Sequence, residues 1–442
     1  MKRKINKIFL AFMGMVVLHA CSLEAVQDPN FPSVGSVTSN ATKSQLNSLA
    51  VGQFSVARNG LATYTLVVGT IGKELFNFNT TESRWMTELN GLRPIDNSAF
   101  YNGATTSFGL PVRQANILLA SVDKTSSATD AEKNGYRGVA NTFKGLAYLY
   151  MLNAQYQNGV RLNVEDPFKP SKPASYTESL AGIAGFLDQG STQLDGAGAA
   201  FAFAVPSGFA GFDTPASFKK FNRAIALRVA IYQKDWTKAA QILPATFFSE
   251  TGSLTTGPRH TFSPSSPDFA NPLVNVSSAN IVAVEKLFDD IETGDLRKSK
   301  VTTLTTPLSY TSGTNYSSKY LANIYSSATT PFPIIRNEEL ILIAAEVAAQ
   351  QNDLTNAKKY VDIIRVANGL AVVPAFTSKD QAIDAILKER LYSLWFEGHR
   401  WVDMRRYDKL NQIALPNTTP VMTVLVQLER PVQEVNWDAA NP

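Results

Sequence analysis

A turn used twice restricts the fold of this chain more than any other feature of its sequence. "YQKDWTKAAQIL" (232–243) and "AAQQNDLTNAKKYVDIIRVANGL" (348–370) share the pattern Asp-x-Thr-x-Ala, at Asp235, Thr237 and Ala239 and again at Asp353, Thr355 and Ala357. An aspartate there stops one helix and caps the next, because its carboxylate accepts from the N–H groups that a helix N-terminus leaves free. The alanine one turn on lets the two helices meet closely. Helix, Asp turn, helix is how tetratricopeptide-type hairpins are built. The copies lie 118 residues apart, so the spacing predicts scattered hairpins rather than a regular solenoid. Asn368-Gly369 reads as the C-terminal stop of the second hairpin.

Further helices are expected at 44–58, 113–122 and 135–155. In the last, Ala140, Phe143, Ala147, Tyr150 and Ala154 recur at helical steps, and alanines seven residues apart predict a seam that another helix can approach. Residues 251–333 are rich in Ser, Thr, Pro, Asn and Tyr without helical period, and read as a long loop insertion of a length that is usually functional. Residues 411–442 read as β-prone or irregular. The expected architecture is mostly α, with helical hairpins as a scaffold and long irregular insertions. It forms one domain over 21–442: a tether at 21–45, the insertion at 251–333, and a C-terminal hairpin, helix and tail over 334–442.

The net charge of +4 suggests nucleic acid only until its source is located. Lys2, Arg3, Lys4 and Lys7 supply it, leaving 37 basic against 37 acidic residues, so no basic footprint for nucleic acid exists. Those charges precede an unbroken apolar run from Ile8 to Leu18, about half the ~20 residues a membrane-spanning helix needs. The order fits a signal peptide over residues 1–20. Leu18-His19-Ala20-Cys21 resembles a bacterial lipobox, and Cys21 is the single cysteine of the chain. Cys21 is therefore expected to carry lipid, and the exported protein to hold no disulfide.

Catalytic patterns are scarce. Beyond residue 21 the histidines are His260 and His399, too few for zinc chemistry built on His and Cys. There is no G-x-S-x-G elbow and no P-loop. "DGAGAAF" (195–201) lacks the third glycine of a dinucleotide loop, and "DDIETGDLR" (289–297) lacks calcium-loop spacing. No cofactor, metal or catalytic set is expected. A glycosidase working with two carboxylates needs no spacing rule, so the sequence leaves that alternative open.

The stretch "LKERLYSLWFEGHRWVDMRRYD" (387–408) looks at first like an acid–base centre around His399. Placed on one helix, Ile383, Ile386, Leu387, Leu391, Leu394, Trp395, Gly398 and Val402 form a single apolar face. Glu397–Arg400, His399–Asp403 and Asp403–Arg406 then stand at intrahelical pairing distances. This reading makes the stretch a structural clamp, with His399 positioned rather than catalytic.

The same residues carry a resemblance. Lys388-Glu389-Arg390, followed by the run from Trp395 to Arg406, resembles the C-terminal signature of the SusD/RagB family. "IIRNEELILIAAEVAAQQNDLTNAKKYVDIIRVANGL" is similar to the hairpin that precedes it there, with Arg336, Glu339, Glu346 and Arg365 at the usual charged places. The resemblance implies a surface-exposed outer-membrane lipoprotein that binds a nutrient, oligosaccharides foremost, and passes it to a SusC-like TonB-dependent transporter. A membrane-anchored glycosidase or peptidase, and a purely structural transporter subunit, are the alternatives.

Sugars lay C–H faces on aromatic rings and need polar partners for their hydroxyls. Two stretches offer this outside the periodic helices. "NFNTTESRWMTELNG" sets Trp85 beside Asn79, Arg84 and Glu88, and "SYTSGTNYSSKYLANIYSS" supplies Tyr310, Tyr316 and Tyr320. Trp85, Asn79, Arg84, Tyr310, Tyr316 and Tyr320 are the expected ligand residues.

Cells fed a clickable fatty acid should label the wild-type protein and not Cys21→Ala. Equal incorporation in both would remove the lipid anchor from this reading.

Overall fold

The computed structural model describes residues 34–442. The signal segment and Cys21 lie outside the described residues. Helices α1 (Val34–Asn40), α2 (Lys43–Val56) and α3 (Leu61–Ile71) open the fold and lead into strand β1 (Leu75–Asn79). The short α4 (Gly103–Thr106) precedes α5 (Gly109–Lys124), α6 (Asp130–Gln155), α7 (Tyr176–Asp195), α8 (Pro215–Tyr232) and α9 (Trp236–Ile242). A region of strands follows: β2 (Arg259–His260), β3 (Ala279–Ala283), the short α10 (Glu285–Asp289), β4 (Val301–Tyr310), β5 (Tyr316–Ala322) and β6 (Phe332–Pro333). The chain closes with α11 (Asn337–Gln350), α12 (Leu354–Ala367), α13 (Lys379–Ser393), α14 (Arg400–Arg406) and α15 (Val432–Ala440).

Both Asp turns form as the sequence predicts. Asp235 accepts from the Lys238 N–H at 2.9 Å and Asp353 from the Asn356 N–H at 3.0 Å, while Ala239 and Ala357 are fully buried. Helix α6 is buried along most of its length between α5 and α7. Its closest seam is made by glycine rather than by the predicted alanines. A side chain added at Gly138 or Gly145, also seven residues apart, would meet Leu194 at 2.6 Å or Leu187 at 2.9 Å.

Three expectations change. The insertion 251–333 contains a four-stranded antiparallel sheet in the order β1-β3-β5-β4, completed by β1 from far upstream. Leu75 faces Ala283, Val282 faces Leu321 and Tyr310 faces Tyr316. Strand β4 is hard to see in sequence because it lies at the sheet edge, mostly exposed, with a register shift around Pro307. The tail, expected to lack helix, ends in α15, and α1 lies within the expected tether.

The third change concerns the clamp. Residues 383–407 do not form one helix: α13 ends at Ser393 and α14 starts at Arg400. Phe396 and Gly398 take left-handed φ of 66° and 81°, and a Cβ on Gly398 would lie 2.8 Å from the Tyr64 ring. Gly398 thus serves a turn pressed against α3, where no side chain fits. Breaking the helix redirects its charges. Of the three expected pairs only Asp403–Arg406 forms, at 3.1 Å. Glu397 pairs instead with Arg336 at 2.6 Å, and His399 Nε2 stands 3.9 Å from Glu339.

The role of the stretch is nonetheless structural, for its ions join other elements. Arg390 on α13 meets Asp403 at 2.7 Å, and Arg406 donates to Glu346 on α11 at 2.7 Å. Arg365 and Arg297 both pair with Glu389, at 2.8 and 2.7 Å, and Arg228 from α8 holds Glu339 at 2.6 Å.

Burial holds two histidines neutral, His399 at about 4 and His260 at about 3, against 6.5 when free. Each binds its proton more readily in the unfolded chain, so its contribution to stability is complete above pH 6.5 and declines as pH falls toward the folded value. Glu74 works in the opposite direction: burial pushes it up to about 8, so it favours the fold most at low pH. Two histidines outweigh one carboxyl, and stability is expected to fall between pH 6.5 and 4.5. His399→Gln should narrow the difference in denaturation midpoint between pH 7 and pH 4.5. An unchanged difference would show that His399 is not held neutral by its burial.

Candidate functional site

The sheet brings the two predicted ligand stretches together. Phe76 and Phe78 of β1 form the floor on which the β4–β5 hairpin stands. Tyr316 meets them edge-on with centroids 5.1 and 6.2 Å away, and Tyr310 lies tilted on Phe78 at 5.5 Å. Met86, Val282, Val284 and Met422 complete the buried part of this apolar cluster. The tip of the hairpin, at Gly313, comes against Thr87 of the upstream stretch.

Beside the hairpin opens a cavity of about 660 Å³, walled by α10, the hairpin and residues 415–417 of the tail. Tyr310 and Tyr316 line it, together with Ser309, Thr311, Asn315, Ser317 and Asn417. The Tyr316 hydroxyl accepts from the Glu285 N–H at 2.8 Å, which fixes the ring against α10. Burial keeps this phenol protonated, pushing it up to about 12.

The acids at the cavity already have partners. Lys319 reaches Asp289 at 2.8 Å and Glu285 at 3.6 Å, and Lys286 reaches Asp290 at 2.7 Å. Burial pushes Asp289 up, but the hydrogen bonds from Lys319 and Tyr320 outweigh it and hold the carboxyl below its ordinary value. A general acid at neutral pH needs the reverse shift. Glu74, whose pKa is raised, does not line this cavity. Among the described residues no group of three or more His, Cys, Asp or Glu is placed to hold a metal ion.

The remaining predicted residues serve the walls. Trp85 is 7% exposed and packs on Phe100 with centroids 4.6 Å apart. Arg84 pairs with Glu82 at 2.6 Å and Asp96 at 3.3 Å. Asn79 accepts from the Thr81 and Glu82 N–H groups, closing the turn after β1. Tyr320, further along β5, donates its hydroxyl to Asp289 at 2.8 Å and sets its ring against Phe288. Tyr310 and Tyr316 line the cavity; Trp85, Asn79, Arg84 and Tyr320 do not. The sequence reading missed α10 and the 415–417 segment, because contributions to a wall from distant segments leave no local pattern.

Residues 289–440, roughly a third of the chain, match the model of the SusD family. This region is similar to the SusD family. The whole described chain also has a SusD-like fold. A structure of a laminarin-binding SusD-like protein superposes with a TM-score of 0.65 at 17% identity, covering 89% of this chain and 97% of that one. Surface glycan-binding protein A from Bacteroides thetaiotaomicron gives 0.70 at 12% identity, covering 91% and 98%. The same protein in complex with laminarihexaose gives 0.66 at 14% identity over the same shares. No curated protein matches in sequence. At these identities the superpositions speak for the fold of the SusD-like chain and not for its ligand.

Proposed function

We propose that this SusD-like protein is a glycan-binding lipoprotein of the outer membrane, exposed at the cell surface, that passes its ligand to a SusC-like TonB-dependent transporter. The cavity at the β4–β5 hairpin is its ligand site. The observation that carries the reading is the chemistry of that cavity. Its charges are paired with one another, and what stays available is a set of neutral hydroxyls and amides around two tyrosines. An uncharged, hydroxyl-rich ligand suits such a lining better than a charged peptide does. Relatives in fold whose names include laminarin or glycan binding agree with this choice. The lowered Asp289 and the pairing of its neighbours favour binding over hydrolysis.

Lipid anchoring at Cys21 and partnership with a transporter rest on the sequence resemblance. Among the described residues no helix is long and apolar enough to cross a membrane, consistent with a tethered protein that leaves transport to a partner. Affinity purification from native membranes in mild detergent should recover a large β-barrel protein. Repeated recovery of the lipoprotein alone would count against the partnership.

A binding screen of the exported protein against neutral glycans and peptides, with product analysis in the same tubes, tests the ligand class. The expected result is saturable glycan binding without new products; cleaved glycan or peptide would establish the enzyme alternative instead. Tyr316→Ala should weaken the glycan found by about tenfold, roughly 1–2 kcal/mol, while Tyr316→Phe keeps the ring and most of the affinity. Wild-type affinity in a folded Tyr316→Ala variant would move the site elsewhere.

A further inference from the structure

Away from the sheet, a second cleft of about 480 Å³ opens between the start of α7, the α8–α9 turn and the end of α14. Arg405 forms one of its walls. The guanidinium lies between two rings, 4.1 Å from the centroid of Tyr156 and 4.5 Å from that of Trp401. Nη1 donates to the Val426 carbonyl at 2.8 Å and Nη2 to the Asn153 carbonyl at 2.7 Å. A guanidinium has five N–H groups, so these bonds leave donors for the cleft that the residue lines.

Its neighbour Arg406 is neutralised by Glu346 and Asp403. Arg405 makes no ion pair among the described residues. Burial without a counter-charge pushes it down, to about 10. A buried cation left in this state is costly and rarely retained without a use.

The rest of the lining repeats the bias toward donors. Tyr156, Tyr176 and Tyr232 all line the cleft, and none of their hydroxyls has a hydrogen-bond partner among the described residues. Burial raises Tyr176 and Tyr232, so both remain O–H donors at neutral pH. Lys234 stands exposed at the rim without an ion pair among the described residues. Two carboxylates also face the cleft: Asp235, occupied in capping α9, and the exposed Asp408.

Backbone strain marks the same place. Tyr156 holds φ 48° and ψ −113°, a conformation that bulky side chains rarely adopt and that persists where surrounding contacts demand it. Here the contacts are its ring over Arg405 and its edge-on meeting with Tyr176 at 4.7 Å. The positive φ of Lys234 carries no such weight, since Asn352 repeats it in the second hairpin turn.

We propose that this cleft is a second ligand site, taking a small oxyanion (a carboxylate, sulfate or phosphate group) between Arg405 and the hydroxyls of Tyr156, Tyr176 and Tyr232, with Lys234 at the rim. A purely structural Arg405, pinning Val426 and Asn153, would need neither the open cleft nor the unpartnered hydroxyls. The proposal is independent of the glycan reading, because none of these residues lines the hairpin cavity.

Calorimetric titration with sodium sulfate, sodium phosphate and sodium glucuronate, each balanced to constant ionic strength with chloride, tests it. Saturable one-to-one binding of at least one anion is expected, and the one that saturates identifies the source of the oxyanion. Tyr176→Phe/Tyr232→Phe should weaken that binding tenfold or more while its thermal midpoint in chloride alone stays at the wild-type value. Should the double variant not fold, Lys234→Ala decides alone, with affinity expected to fall about threefold. No saturable binding of any of the three anions, or wild-type affinity in the folded variants, would overturn the proposal.

Discussion

The pairing of Arg406 with Glu346 and Asp403, and of Asp403 with Arg390, is the constraint on which the rest of the structure depends. These four side chains are almost wholly buried and join α11, α13 and α14 at one point. Taking such ions out of water costs several kcal/mol each, and pairing offsets that cost only where geometry is tight. An apolar core of the same volume would stabilise as much. What the ions add is selectivity, because any other packing of these helices strands a buried charge, at roughly 3–5 kcal/mol. Arg228 with Glu339 carries the same logic to α8, and Arg365 and Arg297 with Glu389 carry it to α12 and the approach to β4.

The sheet depends on this network through the turn between α13 and α14. Trp395 Nε1 donates to the Glu74 carbonyl at 3.0 Å, one residue before β1 begins. Lys300, one residue before β4, donates to the Tyr392 and Ser393 carbonyls at 2.8 and 2.6 Å. Both outer strands of the sheet are thus tied to one turn, whose shape Gly398 and the surrounding ion pairs determine. The floor of Phe76 and Phe78 and the tyrosines above it inherit their positions from there. A charged helical stretch that does not line the hairpin cavity still sets the geometry of the candidate site.

Local features were legible in the sequence and long-range ones were not. Asp235 and Asp353 cap as their spacing says, because capping involves three or four neighbouring residues. The helix break at Phe396–Gly398 was hidden: Leu394, Trp395 and Val402 keep helical spacing across it, and only contact with Tyr64 on α3, over three hundred residues upstream, shows why the chain must turn. Strand β4 was hidden for another reason. Its Thr-rich run is exposed at an edge, so burial imposes no alternation on it. Tyr310 and Tyr316 were identifiable as rings among small polar residues, whereas Trp85 satisfies the same rule and is buried by Phe100. Composition selects candidates, and tertiary packing decides which of them lines a cavity: Tyr310 does and Trp85 does not, although both are buried.

The two clefts differ in a way that their own ions explain. At the hairpin, Lys319 and Lys286 take up Asp289 and Asp290, so a ligand there meets no uncompensated charge and is chosen by hydroxyls, amides and ring faces. Beside α14, Arg406 is satisfied and Arg405 is not, although the two are adjacent in sequence and both buried. The difference follows from the helix. Successive residues point about 100° apart, so when Arg406 faces Glu346, Arg405 is directed to a different flank, toward Asn153 and Val426. There Arg405 meets two carbonyls and two rings and makes no ion pair among the described residues. The register that completes the network on one side of α14 therefore leaves Arg405 on the other without an ion pair among the described residues, at the wall of a cleft open to an external anion.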